Sequence, residues 1–174
     1  MFGRKPKIKF LKISDVKSPN RGTEYSCGID FYIPNETKEL AEYLSNQDGI
    51  NIISSNTKTL ISINPHSKIM IPSGLKLNIP STKALIFENK SGIASKLQLV
   101  RGACLIDSDY KQEVFFNLIN DSNKVAYIEF GQKIIQGILI NNYFPTMAEC
   151  ENENDLYKGK KTTRLGGFGS TGLK

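Results

Sequence analysis

The sequence predicts an all-β protein of many short strands, a β-clip or jelly-roll-like barrel. Three observations carry the prediction. Residues of high β propensity come in short runs, the runs are bounded by Pro, Gly, Asn and Ser, and they recur at close spacing along most of the 174 residues. Residues 8–13 alternate, with Ile8 and Phe10 on one face and Lys9, Leu11 and Ile13 on the other. Residues 29–33 form a second strand after Gly28. One helix is expected: Asn35-Glu36-Thr37 offers a cap, Leu40, Tyr43 and Leu44 recur at helical spacing through residues 38–46, and Gly49 follows its end. The segment 37–57 that holds this helix reads as an insert between strands. Residues 60–63 run into Asn64-Pro65, residues 67–71 into Pro72-Ser73-Gly74, and residues 75–79 into Pro80-Ser81; turn chemistry ends each strand. Residues 84–87, 97–100, 103–106, 113–119, 125–128 and 134–140 complete the set, with 103–106 and 113–119 expected to pair as a hairpin. Residues 149–161 are polar and aperiodic, a linker to a Gly-rich end. The predicted organisation is one β domain over residues 1–148 and an arm over residues 149–174.

Composition narrows the function classes. Hydrophobic residues make up 39% of the chain and mean hydropathy is −0.30, as in a soluble globular domain with a proper core. No apolar run approaches the roughly 20 residues of a membrane span. The basic start, Arg4-Lys5-Pro6-Lys7, lacks a following apolar stretch, so no secretory signal is expected. Cys27, Cys104 and Cys150 match no metal spacing, and reduced thiols in a cytoplasm (a host cytoplasm for a viral chain) account for them. The formal charge is +6, but the lysines are scattered apart from Lys158-Gly159-Lys160-Lys161. A solvated surface explains that distribution, and neither a membrane nor direct contact with nucleic acid is required.

Five segments carry candidate chemistry. Tyr25-Ser26-Cys27-Gly28-Ile29-Asp30 puts an acid just past a glycine. Lys90-Ser91-Gly92 places a cation, a hydroxyl and a glycine after a strand, which suits phosphate oxygens. Ala103-Cys104-Leu105-Ile106-Asp107-Ser108-Asp109-Tyr110 gathers two carboxylates and a tyrosine at the expected hairpin tip. Turn preference alone accounts for Asp-Ser-Asp there; equally, a carboxylate so held can orient and deprotonate a water. Gly131-Gln132-Lys133-Ile134-Ile135-Gln136 enters a strand with Gln136 as a donor. The fifth, Arg164-Leu165-Gly166-Gly167-Phe168-Gly169-Ser170-Thr171-Gly172, combines four glycines, two hydroxyls, an arginine and a ring. Glycines let backbone N–H groups approach an anion closely, and the ring suits a lid over a base.

In this order the five segments resemble the five motifs of the trimeric dUTP pyrophosphatase family, over residues 26–172. The stretch from Pro65 through Pro72-Ser73-Gly74-Leu75 to Ile79-Pro80 is similar to that family's spacer as well. The resemblance implies Mg²⁺-dependent hydrolysis of dUTP to dUMP and pyrophosphate by water attacking the α-phosphorus, which limits uracil in DNA. It implies a homotrimer whose sites are shared between subunits. Asp107 matches the water-activating carboxylate, and Tyr110 the ring that lies against deoxyribose and excludes a 2′-hydroxyl. Backbone near Ala103, Cys104 and Phe115 matches the groups that read uracil. Lys90, Ser91, Gly92 and Gln136 match phosphate contacts, and Asp30 matches an acid that meets the magnesium through water. Phe168 matches the ring stacked on uracil, and Arg164, Gly169, Ser170 and Thr171 match the wrap around the γ-phosphate.

Four departures stand out. Lys90 replaces arginine, keeping the charge and losing the bidentate fork. Cys104 stands where glycine is usual, Lys111-Gln112 where arginine-glycine is common, and Thr163 in the usual register of Arg164. A sibling family on the same fold deaminates dCTP with a glutamate ten residues after the shared aspartate. Asn117 stands there in this chain and cannot act as that acid/base. The other alternative is a nucleotide-responsive binding protein that engages a partner through segment 37–57.

Overall fold

The structure, a computed structural model, describes residues 6–160. In chain order the first elements are β1 (Lys9–Lys12), β2 (Asn20–Arg21), β3 (Ile29–Tyr32), α1 (Lys38–Ser45), β4 (Ile50–Ser54) and β5 (Thr59–Ile63). There follow β6 (Lys68–Asn78), β7 (Lys83–Asn89), α2 (Ser91–Leu97), β8 (Leu99–Arg101), β9 (Leu105–Ile106), β10 (Glu113–Asn120), β11 (Ala126–Glu129) and β12 (Lys133–Asn141). The strands form three antiparallel sheets, ordered β1-β6-β10-β8, β11-β5-β4 and β2-β3-β12-β7-β9. The all-β class holds and the layers are jelly-roll-like, but the sheets stay separate and do not close into one barrel.

The core lies where these sheets face one another. Phe31 on β3 and Phe87 on β7 meet Phe116 on β10 edge to face, with ring centroids 5.1, 5.4 and 6.2 Å apart. All three are buried, as are Ile61, Ile63, Ile69 and Ile71. β10 shows why a strand forms here: Val114, Phe116, Leu118 and Asn120 are buried, and the residues between them are half-buried on the opposite face. That second face lines the candidate site.

Four local features differ from the sequence reading. Residues 67–71 and 75–79 are one long strand, β6, which runs through Pro72-Ser73-Gly74. Gly74 turns it with φ +71°, its N–H donates to Glu113 Oε1 at 2.7 Å, and the Leu75 N–H donates to Ser73 Oγ at 3.1 Å. The ladder to β10 shifts register there, so the turn chemistry makes a bulge rather than an end. Second, residues 91–97 are helical, with Gln98 closing α2 in the left-handed region at φ 51°. Third, residues 103–106 and 113–119 do not make a hairpin. β9 pairs with β7 and β10 pairs with β6 and β8, so residues 107–112 carry the chain from one sheet to another. Fourth, segment 37–57 holds β4 as well as α1, and its Leu44 and Ile50 join the core.

The helix start is as read from the sequence: the Thr37 side chain accepts the Leu40 N–H at 3.2 Å. The described residues from 144 to 160 belong to a second compact unit. Among its described residues is α3 (Glu153–Leu156), one turn capped by Asn152, whose Oδ1 accepts the Asp155 N–H at 3.0 Å.

Candidate functional site

Two groups of side chains stand out. The first lines a cavity of about 240 Å³ between β6, the β8–β10 connection and β10. Met70, Ala103, Cys104, Leu105, Ile106 and Phe115 make most of its wall, and Asp107, Tyr110 and Asn117 supply its polar lining. Asp107 is exposed, and none of the ion pairs among the described residues involves it. A tight turn brings Tyr110 back over it, with the Tyr110 N–H donating to the Asp107 carbonyl at 3.2 Å. The Tyr110 hydroxyl donates to the Glu113 carbonyl at 3.0 Å, which holds the ring at the cavity wall.

Support for this cavity comes from residues outside it. Gln47, just after α1, clamps Met70: its Nε2 donates to the Met70 carbonyl at 2.9 Å and its Oε1 accepts the Met70 N–H at 2.8 Å. The Tyr43 ring lies 6.5 Å from that of Phe115. Arg101 donates from Nε and Nη2 to both Glu88 carboxylate oxygens at 2.9 and 3.0 Å, and from Nη1 to Cys104 Sγ at 3.1 Å. Hydrogen bonding to Arg101, opposed by burial and aided by its charge, holds the Glu88 carboxyl below its ordinary range. Sequence reasoning missed Gln47 and Arg101, because nothing local marks a side chain that works across two elements.

The second group is ionic. Asp30 on β3 lies opposite Gln136 on β12, and Gln136 lies opposite Glu88 on β7. Lys90 Nζ meets Asp30 Oδ1 at 2.9 Å and Lys133 Nζ meets Asp30 Oδ2 at 2.9 Å. The Asp30 side chain is 7% exposed, against 30% for Lys90 and 38% for Lys133. Burial pushes the Asp30 carboxyl up, but hydrogen bonds and charge from the two lysines outweigh it and hold it below its ordinary value. The hydrogen bond to Asp30, more than its charge, raises the Lys133 ammonium. Gln136 Nε2 donates to the Asn89 carbonyl at 2.8 Å. A Cβ on Gly28 would overlap the Gln136 side chain, so glycine is needed there for space. Ser91 and Gly92 open α2 directly after Lys90.

The structure thus unites Asp30, Lys90 and Gln136, and it unites Ala103, Cys104, Asp107, Tyr110 and Phe115. No hydrogen bond or ion pair among these residues joins one set to the other. Their nearest link is Asn89, whose Oδ1 accepts the Arg101 N–H at 2.7 Å while its carbonyl accepts from Gln136. Lys133 belongs with the ionic set although the sequence reading passed over it, since nothing local in Gly131-Gln132-Lys133 marks it as a partner of Asp30. Arg164, Phe168, Gly169, Ser170 and Thr171 lie outside the described residues.

Among the described residues no group of three or more His, Cys, Asp or Glu side chains is arranged to hold a metal. Both Asp30 oxygens are engaged by lysines. Among the described residues this donor set does not fit a protein-built metal cage.

The family model described as dUTPase matches residues 38–172. The deoxyuridine 5′-triphosphate nucleotidohydrolase of Helicobacter pylori (strain P12) is 30% identical over 170 residues, covering 96% of this chain and 97% of that protein. Its namesake from Rickettsia prowazekii (strain Madrid E) is 31% identical over 169 residues, covering 96% of each chain. Among solved structures, the Staphylococcus bacteriophage 80alpha dUTPase with dUPNHPP superposes with a TM-score of 0.73 at 17% identity, covering 96% of this chain and 99% of that one. A mutant dUTPase from phage phi11 of S. aureus, described with a structural Mg(II) ion, gives 0.61 at 15% identity, covering 85% and 99%.

Proposed function

The chain belongs to the dUTPase family and hydrolyses dUTP to dUMP and pyrophosphate, and from this premise we propose how its own residues divide the work. Asp107 accepts a proton from a water held at the mouth of the cavity. The water oxygen bonds to the α-phosphorus, the bond to the bridging oxygen breaks, and pyrophosphate leaves with the electron pair. The uracil enters the cavity against Phe115, and backbone groups near Ala103 and Cys104 meet its edge. Tyr110, held by its bond to Glu113, lies against the sugar and leaves no room for a 2′-hydroxyl.

Lys90, Ser91, Gly92 and Gln136 bind the phosphate chain, and Lys133 keeps Asp30 charged beside them. Magnesium, when bound with the triphosphate, would supply charge neutralisation on its oxygens, and Asp30 is the acid that would meet it through water, with Lys90 and Lys133 yielding part of their hold on the carboxylate. The separation of the two residue sets within one chain supports assembly of the site between subunits of a homotrimer. The arm's Arg164, Phe168, Gly169, Ser170 and Thr171 would close over the base and γ-phosphate. Among the described residues no helix is long and apolar enough to cross a membrane. We place the protein in the cytoplasm.

One observation carries this division of labour: an exposed Asp107 and a fixed Tyr110 share a cavity with an aromatic wall. Purified protein with Mg²⁺ is expected to release pyrophosphate from dUTP far faster than from UTP. Asp107→Asn should lower turnover by about 10²–10⁴-fold while dUMP still binds. Undiminished turnover in that variant, or equal rates for UTP and dUTP, would remove Asp107 or Tyr110 from the assigned role.

A further inference from the structure

We infer that Asn117 is a specificity-determining residue that reads the base, donating from its side-chain Nδ2 to the O4 carbonyl of uracil. The inference rests on the reading of the 240 Å³ cavity as the base pocket. Asn117 sits mid-strand on the face of β10 that Phe115 also occupies, opposite Met70 on β6. A polar amide at this position has no packing reason to be there, since Met70, Ala103, Leu105, Ile106 and Phe115 make the surrounding wall apolar.

The two ends of the amide are in different surroundings. Oδ1 is shut off from solvent and has no hydrogen-bond partner among the described residues. Its close neighbour is Gly102: a Cβ built there would stand 2.6 Å from Oδ1, 2.8 Å from Cγ and 3.0 Å from Nδ2. The Gly102 hydrogen on that side therefore faces the amide group and lies nearest to Oδ1, a weak C–H···O contact. Gly102 is not among the residues with positive φ, so the close approach of Asn117, rather than a backbone conformation, is what calls for glycine. With Oδ1 turned inward, Nδ2 is the end left for the cavity, and no hydrogen bond among the described residues occupies it.

A fixed donor discriminates between pyrimidines. Uracil presents a carbonyl oxygen at position 4, which accepts from Nδ2. Cytosine presents an amino group there, and two donors then face each other with neither satisfied. Sites that hydrogen-bond a substrate group reject the analogue that lacks it far more strongly than apolar pockets reject a shape change. The other polar side chains on the wall cannot supply this donor, because the Tyr110 hydroxyl is bound to Glu113 and the Asp107 carboxylate is an acceptor.

The test measures base preference in two ways, the dUTP-to-dCTP ratio of kcat/KM and the dUMP-to-dCMP ratio of Kd by calorimetry. Asn117→Leu removes the donor while filling the space, and Asn117→Ser withdraws it while keeping a small polar group. Both variants should lower each ratio by about 10–100-fold, the scale of a lost base-edge contact, chiefly through KM. Gly102→Ala should do the same by displacing the amide. Either Asn117 variant, folded and keeping the wild-type Kd ratio, overturns the inference. Because the Kd arm needs no turnover, its outcome is separate from whether the wild type hydrolyses dUTP.

Discussion

Asp30 shows how one buried carboxylate sets the electrostatics of the ionic group on β3 and β12. Burial favours its protonated acid, but each of its oxygens is 2.9 Å from a lysine and the pairing outweighs the burial. Its folded-state pKa is lowered from 3.8, so its contribution to stability is fully present above that value and is lost as pH falls through the lower folded-state pKa. Asp30→Asn should therefore melt below the wild type at neutral pH, with the gap narrowing only in strong acid. Thermal melts between pH 7 and pH 2 check this, and a gap that narrows well above pH 4 would contradict the pairing. The same substitution frees two cations, so binding of inorganic triphosphate should respond as well. Asp30 was legible from the sequence because it follows a small-residue turn at a strand start; its second lysine was not, because the two residues are far apart in the chain.

At the scale of elements, segment 37–57 is more than a decoration. α1 supplies Leu44 to the core, β4 supplies Ile50, and Gln47 between them satisfies both backbone groups of Met70 on the cavity wall. Gln47→Leu leaves the Met70 N–H and carbonyl without those partners in a half-buried setting. That should cost about 1–3 kcal/mol of stability, read as a lower denaturant midpoint at unchanged m-value. It should also raise KM for dUTP if the cavity Met70 lines takes the base, as proposed; an unchanged midpoint and KM would show that β6 holds itself. The bulge in β6 is the companion case. Pro72-Ser73-Gly74 reads as a strand end, and its turn residues do bend the chain, but the ladder to β10 resumes beyond them because Glu113 caps the Gly74 N–H. Local chemistry specified the bend, and a partner strand decided that pairing continues.

For the whole molecule, the described residues up to 143 belong to one compact unit and those from 144 on to another, and the proposal that the latter leads into an arm that serves the site is open to test by truncation. Truncation after Thr163 should leave the melting transition and dUMP binding of the body intact while slowing dUTP turnover by at least about 10²-fold through lost positioning. Wild-type turnover in the truncated protein would make the Gly-rich end dispensable. Cross-linking and sedimentation of the full chain should give a trimer if the Asp30 and Asp107 sets belong to sites completed by neighbouring copies.

Sequence alone determined the strand-rich class, the capped helix after Thr37, and the order of the motifs that identify the family. These depend on local rules: period-2 alternation, turn residues, and short runs such as Leu105-Ile106-Asp107 whose chemistry is carried by adjacent positions. Tertiary structure decided which strands pair, and so moved residues 107–112 from a hairpin tip to a crossing between sheets. It also brought Lys133 to Asp30, Arg101 to Glu88, Gln47 to Met70, and the Asn117 amide against Gly102. Such contacts join residues that are distant in the chain, and pairing register and the close approach of two backbones are properties of the packed sheets, which no window of sequence contains.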